Sequence, residues 1–285
     1  MQGCSQRGVG CLGKPPYHVN ISLSWQFADL DKSSLLMKPT IKWERHCLRF
    51  GTVIFDCDST LSSIEGIEEL ATAHRAEITH LTESAMRGEV ALEEVFARRL
   101  ELVRPSRADV AVLGDRYVQT LVPDAKALVT ALRSEKIMVR VVSGGLRPAI
   151  LVLARSLGIT DDSVAAVDIM FDEKGGYSGF DADSPLARSG GKRVQLQRWL
   201  PSLARPIMIV GDGITDLEAR PPADSFVAYT GVTHRAEVAA KADVVVRSRS
   251  LAPVLTLALG GVPPEDTKTR ELFDLGARLM TDQGG

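Results

Sequence analysis

The stretch VIFDCDST, residues 53–60, sets Val53, Ile54 and Phe55 before Asp56, Cys57 and Asp58 and closes on Ser59 and Thr60. Its first three residues have the β-branched and aromatic character of a buried strand. Asp, Ser and Thr hydrogen-bond their own backbone, so the second half also reads as an ordinary polar turn or helix cap. A different reading gives the carboxylates chemical work. At the C-terminal end of a parallel strand they lie where open α/β sheets place their ligands, and there they could hold a cation and attack an electrophile. What else reaches the same sheet edge decides between the two.

From residue 50 onward short β-branched runs alternate with helical periods, the pattern of a parallel sheet joined by crossover helices. Strands are expected near 51–55, 137–142, 164–171, 206–211, 225–229 and 243–246, most of them followed by Gly or Asp. Between the first two lies a long segment with no strand signal, including EGIEELATAHRAEITHLTESAMRG (65–88) and LEEVFARRLELV (92–103), apolar at i, i+3, i+4 spacing. It is too long for one crossover helix, so the expectation is an α/β, Rossmann-like core over 49–62 and 123–260 with a helical-bundle cap inserted at 63–122. Residues 1–48 are rich in Gly, Ser and scattered basic residues, with no acid before Asp29. They read as a flexible extension or as sequence ahead of a start at Met37, with an acid-poor transit peptide as the other option. Residues 261–285 read as a tail with a surface helix near 268–280, to which no function attaches.

The chain has 285 residues and is 45% apolar, enough for one large domain or a domain with an insertion. A net charge of -2 gives no broad attraction to nucleic acid or anionic membrane and favours a small-molecule substrate. Cys4, Cys11, Cys47 and Cys57 form no C-x-x-C pair. That disfavours a zinc site or disulfide framework and points to a reducing compartment. No apolar run approaches the ~20 residues of a membrane helix, and no secretory h-region opens the chain. A soluble, cytoplasmic protein is expected.

Three further stretches meet the first. VVSGGLRP (141–148) offers the Ser143 hydroxyl, Gly144 and Gly145 to let backbone N–H groups approach an anion, and a helix start near Arg147. SGGKRVQLQRWL (189–200) puts Lys192 in the first turn of a helix, where a cation opposes the dipole unless an anion is near. PIMIVGDGITDLEA (206–219) repeats strand then Asp212 then Asp216, acids that suit a hard divalent cation such as Mg²⁺. The set has one economical meaning. A phosphomonoester carries negative charge that Mg²⁺, Lys192, Ser143 and backbone N–H groups would neutralise, so that Asp56 can attack it as nucleophile. Asp58 would protonate the leaving alkoxide and then deprotonate the attacking water.

In this order the four stretches resemble the haloacid-dehalogenase-like phosphatases over residues 50 to about 257. LEARPPADSF (217–226) and GYSGFDADSPLARSGGK (176–192), the latter similar to a β-hairpin leading to the lysine, resemble the members that act on a phosphorylated amino acid. The resemblance implies a Rossmann-like core with a helical cap and O-phospho-L-serine as substrate. It implies Mg²⁺ held by Asp56, the Asp58 backbone carbonyl and Asp212, with Asp216 supporting that shell. Carried over by position, Glu65 meets the substrate ammonium and Arg99 its carboxylate, with Arg98 competing for that role. Met86 joins the cap wall, Gly144 the phosphate loop, and Thr215, where many relatives carry asparagine, the substrate contacts. The same chemistry on another small phosphomonoester and a catalytically inactive phosphate-binding module are the competing readings. A homodimer is left open.

Overall fold

The computed structural model describes residues 48–71, 74–86 and 92–282. The extension therefore lies outside the described residues apart from Leu48. Among those described, no helix is long and apolar enough to cross a membrane.

In chain order the elements are β1 (Thr52–Phe55), α1 (Gly66–Leu70), α2 (Arg75–Met86), α3 (Leu92–Val103), α4 (Arg107–Gln119), α5 (Ala125–Ser134), β2 (Met138–Leu146) and α6 (Arg147–Ser156). There follow β3 (Val164–Val167), β4 (Ile169–Phe171), β5 (Tyr177–Phe180), α7 (Gly191–Trp199), β6 (Ile207–Gly211) and α8 (Ile214–Leu217). The chain closes with β7 (Ser225–Tyr229), α9 (Ala236–Ala239), β8 (Val244–Val246), α10 (Ala252–Ala258) and α11 (Thr267–Thr281).

Six strands form one sheet in the order β3-β2-β1-β6-β7-β8, paired in parallel throughout. Every residue of β1, β6 and β7 is buried, as expected of strands covered by helices on both faces. From β1 the chain winds outward through β2 to β3, then returns to β6 on the other flank of β1 and winds the opposite way. The crevice at such a reversal opens beyond the strands' C-terminal ends, and β1 and β6 deliver Asp56 and Asp212 there.

Two strand expectations need correction. The run 164–171 is one strand by composition but breaks at Asp168: Val164–Val167 pairs with β2, whereas Ile169–Phe171 turns out of the sheet and pairs antiparallel with β5. β5 itself was absent from the strand expectations, because YSGF carries glycine and little apolar alternation, although the hairpin resemblance covers it. The strand expected over 137–142 runs on through Ser143-Gly144-Gly145 to Leu146, with a register shift between Val142 and Leu146.

The long segment between β1 and β2 carries α1 to α4. Its two ends lie side by side, with Ser62 bridged to Leu121 and the Val122 N–H donating to the Leu61 carbonyl at 3.0 Å. Ser106 caps α4 through the Asp109 N–H, and Asp109 returns a bond to the Ser106 N–H. α4 packs along α6, while α1 to α3 contact one another. The β4–β5 hairpin leans on the same helices: Phe96 and Phe180 meet edge to face at 5.1 Å, and the Arg107 N–H donates to the Gly175 carbonyl at 2.8 Å. Near the C-terminus, α11 starts at an Asp266 cap and buries Leu272 and Phe273 in the main core, and it packs against α10.

Candidate active site

The Asp56 N–H completes the ladder by donating to the Val210 carbonyl, so the side chain leaves the sheet at its C-terminal edge. There Lys192, buried in the first turn of α7, places its Nζ 2.7 Å from Asp56 Oδ2 and 2.7 Å from Asp216 Oδ1. This is the anion that a lysine at a helix start required. Burial works against the ammonium, but the Asp216 and Asp56 carboxylates outweigh it and hold its pKa above the ordinary lysine value. Asp56 Oδ1 accepts from the Cys57 N–H at 2.7 Å.

Asp216 is fully buried in the first turn of α8. Its second oxygen accepts from the Gly213 N–H at 3.1 Å. Gly211, before Asp212, is required by space: a Cβ there would stand 2.1 Å from the Asp216 carboxyl carbon. Burial raises the Asp216 carboxyl to about 6 even with Lys192 beside it, and burial likewise raises Asp212 above the ordinary carboxylate range against the pull of Arg235. Asp212 accepts from Arg235 Nε at 3.1 Å. Carboxylate oxygens of Asp56, Asp212 and Asp216 lie within 4.8 Å of one another. Three buried carboxyl groups, of which burial disfavours the ionised forms of Asp212 and Asp216, offer clustered hard oxygen donors, a set that fits a divalent cation able to stabilise their charge.

Asp58 points to the other side of the pocket. Its Oδ1 accepts from the Gly66 N–H at 2.8 Å and the Tyr117 hydroxyl at 2.6 Å. Burial first, then the charges of Glu65 and Asp56, raise this carboxyl to about 7. Ser59, at φ 51 a left-handed residue without glycine's freedom, turns the chain directly after it. That turn lets the Ser59 hydroxyl donate to Glu65 Oε1 at 2.7 Å, and burial raises the Glu65 carboxyl above its usual range.

One pocket brings Asp56, Asp58, Glu65, Arg99, Ser143, Gly144, Lys192, Asp212 and Thr215 together. Asp216 stands behind it, bonded to Lys192. Met86 ends α2, and its side chain lies outside the described residues. The two adjacent arginines separate clearly. Arg98 is exposed and pairs with Glu77 at 3.2 Å, whereas Arg99 is 8% exposed and its Nε has no hydrogen-bond partner among the described residues. Burial lowers the Arg99 pKa from its ordinary value. Sequence reasoning missed Arg235, Tyr117 and Ser59. Arg235 follows β7 at the same sheet edge, a position that could have been searched; nothing local marks Tyr117.

The fold and this site define the class of protein. Residues 50–224 match the model of the haloacid dehalogenase-like hydrolases, and the chain belongs to that family. It is 41% identical to the chloroplastic phosphoserine phosphatase of Arabidopsis thaliana, over 68% of each chain. It is 37% identical to the phosphoserine phosphatase of Bos taurus, over 65% of this chain and 84% of that one. Among solved structures, a phosphoserine phosphohydrolase-like protein from Francisella tularensis superposes with a TM-score of 0.64 at 25% identity, over 69% of this chain and 95% of that one. Within the family the chain falls among the phosphoserine phosphatases.

Proposed function

We propose that this chain hydrolyses O-phospho-L-serine to L-serine and phosphate, the closing step of serine biosynthesis, through a phosphoaspartate on Asp56. The observation that carries the reading is one pocket holding the Asp56–Lys192 pair, a second carboxyl at Asp58, Glu65, and a buried arginine whose Nε has no partner among the described residues.

An Asp56 oxygen forms the new bond to phosphorus while the bond from phosphorus to the seryl oxygen breaks. Asp58 hands its proton to that oxygen as it leaves. In the second half Asp58 takes a proton from the attacking water, and the phosphorus bond to Asp56 breaks. A carboxyl held near 7 by burial suits both duties at neutral pH. Lys192 offsets phosphate charge. The Ser143 Oγ accepts from the Gly145 N–H at 3.0 Å, which leaves its own proton for a phosphate oxygen. Arg99 offers a fork to the substrate carboxylate, and Glu65 an anion to its ammonium. Gly144 and Thr215 line the phosphate end, and Met86 falls to the cap wall over 63–122. Asp56, Asp212 and the Asp58 backbone carbonyl would hold Mg²⁺, with Asp216 behind them. When bound, that ion neutralises phosphate charge as the transition state forms.

An inactive phosphate-binding module does not need this complete set of charged groups. The cytoplasm is the compartment we propose, and imaging a full-length fluorescent fusion tests it. The activity test is Mg²⁺-dependent phosphate release from O-phospho-L-serine, phosphothreonine, phosphoethanolamine and several sugar phosphates. O-phospho-L-serine should lead in kcat/KM by about tenfold or more. A flat panel or a leading sugar phosphate would overturn the substrate assignment.

A further inference from the structure

Asp58 is aimed by groups from two helices of the inserted segment. The Gly66 N–H opens α1, and the Tyr117 hydroxyl comes from α4. Both donate to Oδ1, which fills that oxygen's two in-plane acceptor directions. The other oxygen is left over the phosphate loop: the place a Cβ would occupy on Gly145 is 3.0 Å from Asp58 Oδ2. Tyr117 is itself fully buried and cannot swing away into solvent. Gly66 is cut to this tyrosine, since a Cβ there would stand 1.9 Å from the Tyr117 oxygen.

We infer that Tyr117 is a positioning residue: with the Gly66 N–H it fixes Asp58 so that Oδ2, not Oδ1, exchanges the proton with the leaving oxygen and then with water. The inference rests on the phosphatase reading above. No additional bond forms at Tyr117; its O–H keeps donating to Oδ1 throughout, and the transferred proton travels only between Oδ2 and the substrate or water oxygen. Because α4 packs along α6 and also contacts α1, the tyrosine ties the aim of Asp58 to the seating of the inserted helices.

A positioning role for the general acid differs from a structural role in its dependence on the leaving group. In single-turnover measurements on the full, Mg²⁺-saturated chain, Tyr117→Phe should slow serine release from O-phospho-L-serine by roughly 10- to 100-fold, part of the ~10²- to 10⁴-fold that a positioned acid contributes. KM should stay within about twofold, because the hydroxyl touches no substrate atom. First-turnover nitrophenolate release from 4-nitrophenyl phosphate, whose leaving group needs little proton assistance, should stay within about threefold of wild type. Gly66→Ala should show the same leaving-group signature, and combining it with Tyr117→Phe should cost less than the product of the two separate losses, because the closest clash is gone. Equal losses on both substrates, or no loss on either, would overturn the inference. Asp58→Asn is the control. If that variant shows the leaving-group signature and Tyr117→Phe does not, the inference alone fails. If Asp58→Asn lacks it while the wild type is active, the acid–base role of Asp58 fails and the inference with it; if the wild type releases no phosphate, the phosphatase reading fails.

Discussion

Replacing Lys192 by methionine keeps most of the side-chain volume and removes one charge from the middle of the carboxylate cage. Its Nζ contacts two carboxylates at 2.7 Å, and Lys192, Asp56 and Asp216 are all buried. Removing one partner of a buried ion pair costs about 3–5 kcal/mol, because the surviving charge is left uncompensated. Two carboxylates survive here, so metal-free protein at pH 7.5 should lose an amount in that range, limited by proton uptake at Asp216. The sign of the pH dependence follows from that proton. Asp216 is held at about 6 with the lysine present, so lowering the pH to 5 protonates it in the wild type as well and leaves the lysine less to neutralise. The destabilisation should therefore shrink to about half or less at pH 5. It should also shrink when Mg²⁺ is added, since a bound cation replaces the missing charge. Urea unfolding of wild type and Lys192→Met at both pH values, with and without Mg²⁺, measures all three effects. A loss under about 1 kcal/mol at pH 7.5, the range of exposed pairs, or a loss that grows on acidification would refute this account of the cage.

Asp56→Asn should abolish turnover, because an amide is neither a nucleophile nor a charged ligand; steady-state phosphate release checks it, and wild-type-like activity would remove the phosphoaspartate. Arg99→Ala should raise KM for O-phospho-L-serine by about 10- to 100-fold, the worth of a charge-assisted hydrogen-bond pair, yet leave 4-nitrophenyl phosphate within about threefold. Equal effects on both substrates would move the carboxylate contact elsewhere. Metal-free wild type should lose stability as the pH rises from about 4 to about 7. Asp58 and Asp216, held at about 7 and about 6, keep protons in the folded state that the unfolded chain has already released. Thermal melting across that window checks the sign, and a rise in stability would contradict it. Saturating Mg²⁺ should flatten the slope by favouring the ionised carboxylates.

The parallel sheet was legible because β1, β6 and β7 are short apolar runs buried on both faces, a local signal that needs no knowledge of partners. Asp56, Ser143, Lys192 and Asp212 were legible for a related reason, since each sits at a strand end or helix start where its residue type is unusual. The pull of Arg99 over Arg98 was not legible: both lie on one amphipathic helix, and only packing turned one toward the pocket and the other to Glu77. The break at Asp168 was hidden in an apolar run, and only the return of β5 assigns Ile169–Phe171 to a hairpin.

The sequence by itself determined which acidic, hydroxyl and basic groups stand at the edge of the pocket, because Asp56, Ser143, Lys192 and Asp212 each sit in a local strand-to-loop or loop-to-helix pattern. Only the tertiary structure decided how those groups are held. Tyr117 reaches Asp58 across 59 residues, Arg235 reaches Asp212 from the loop after β7, and Lys192 pairs with carboxylates from the end of β1 and the first turn of α8. Such pairings depend on how helices and sheet pack, and packing is a property of contacts between distant segments that no local pattern of residues encodes.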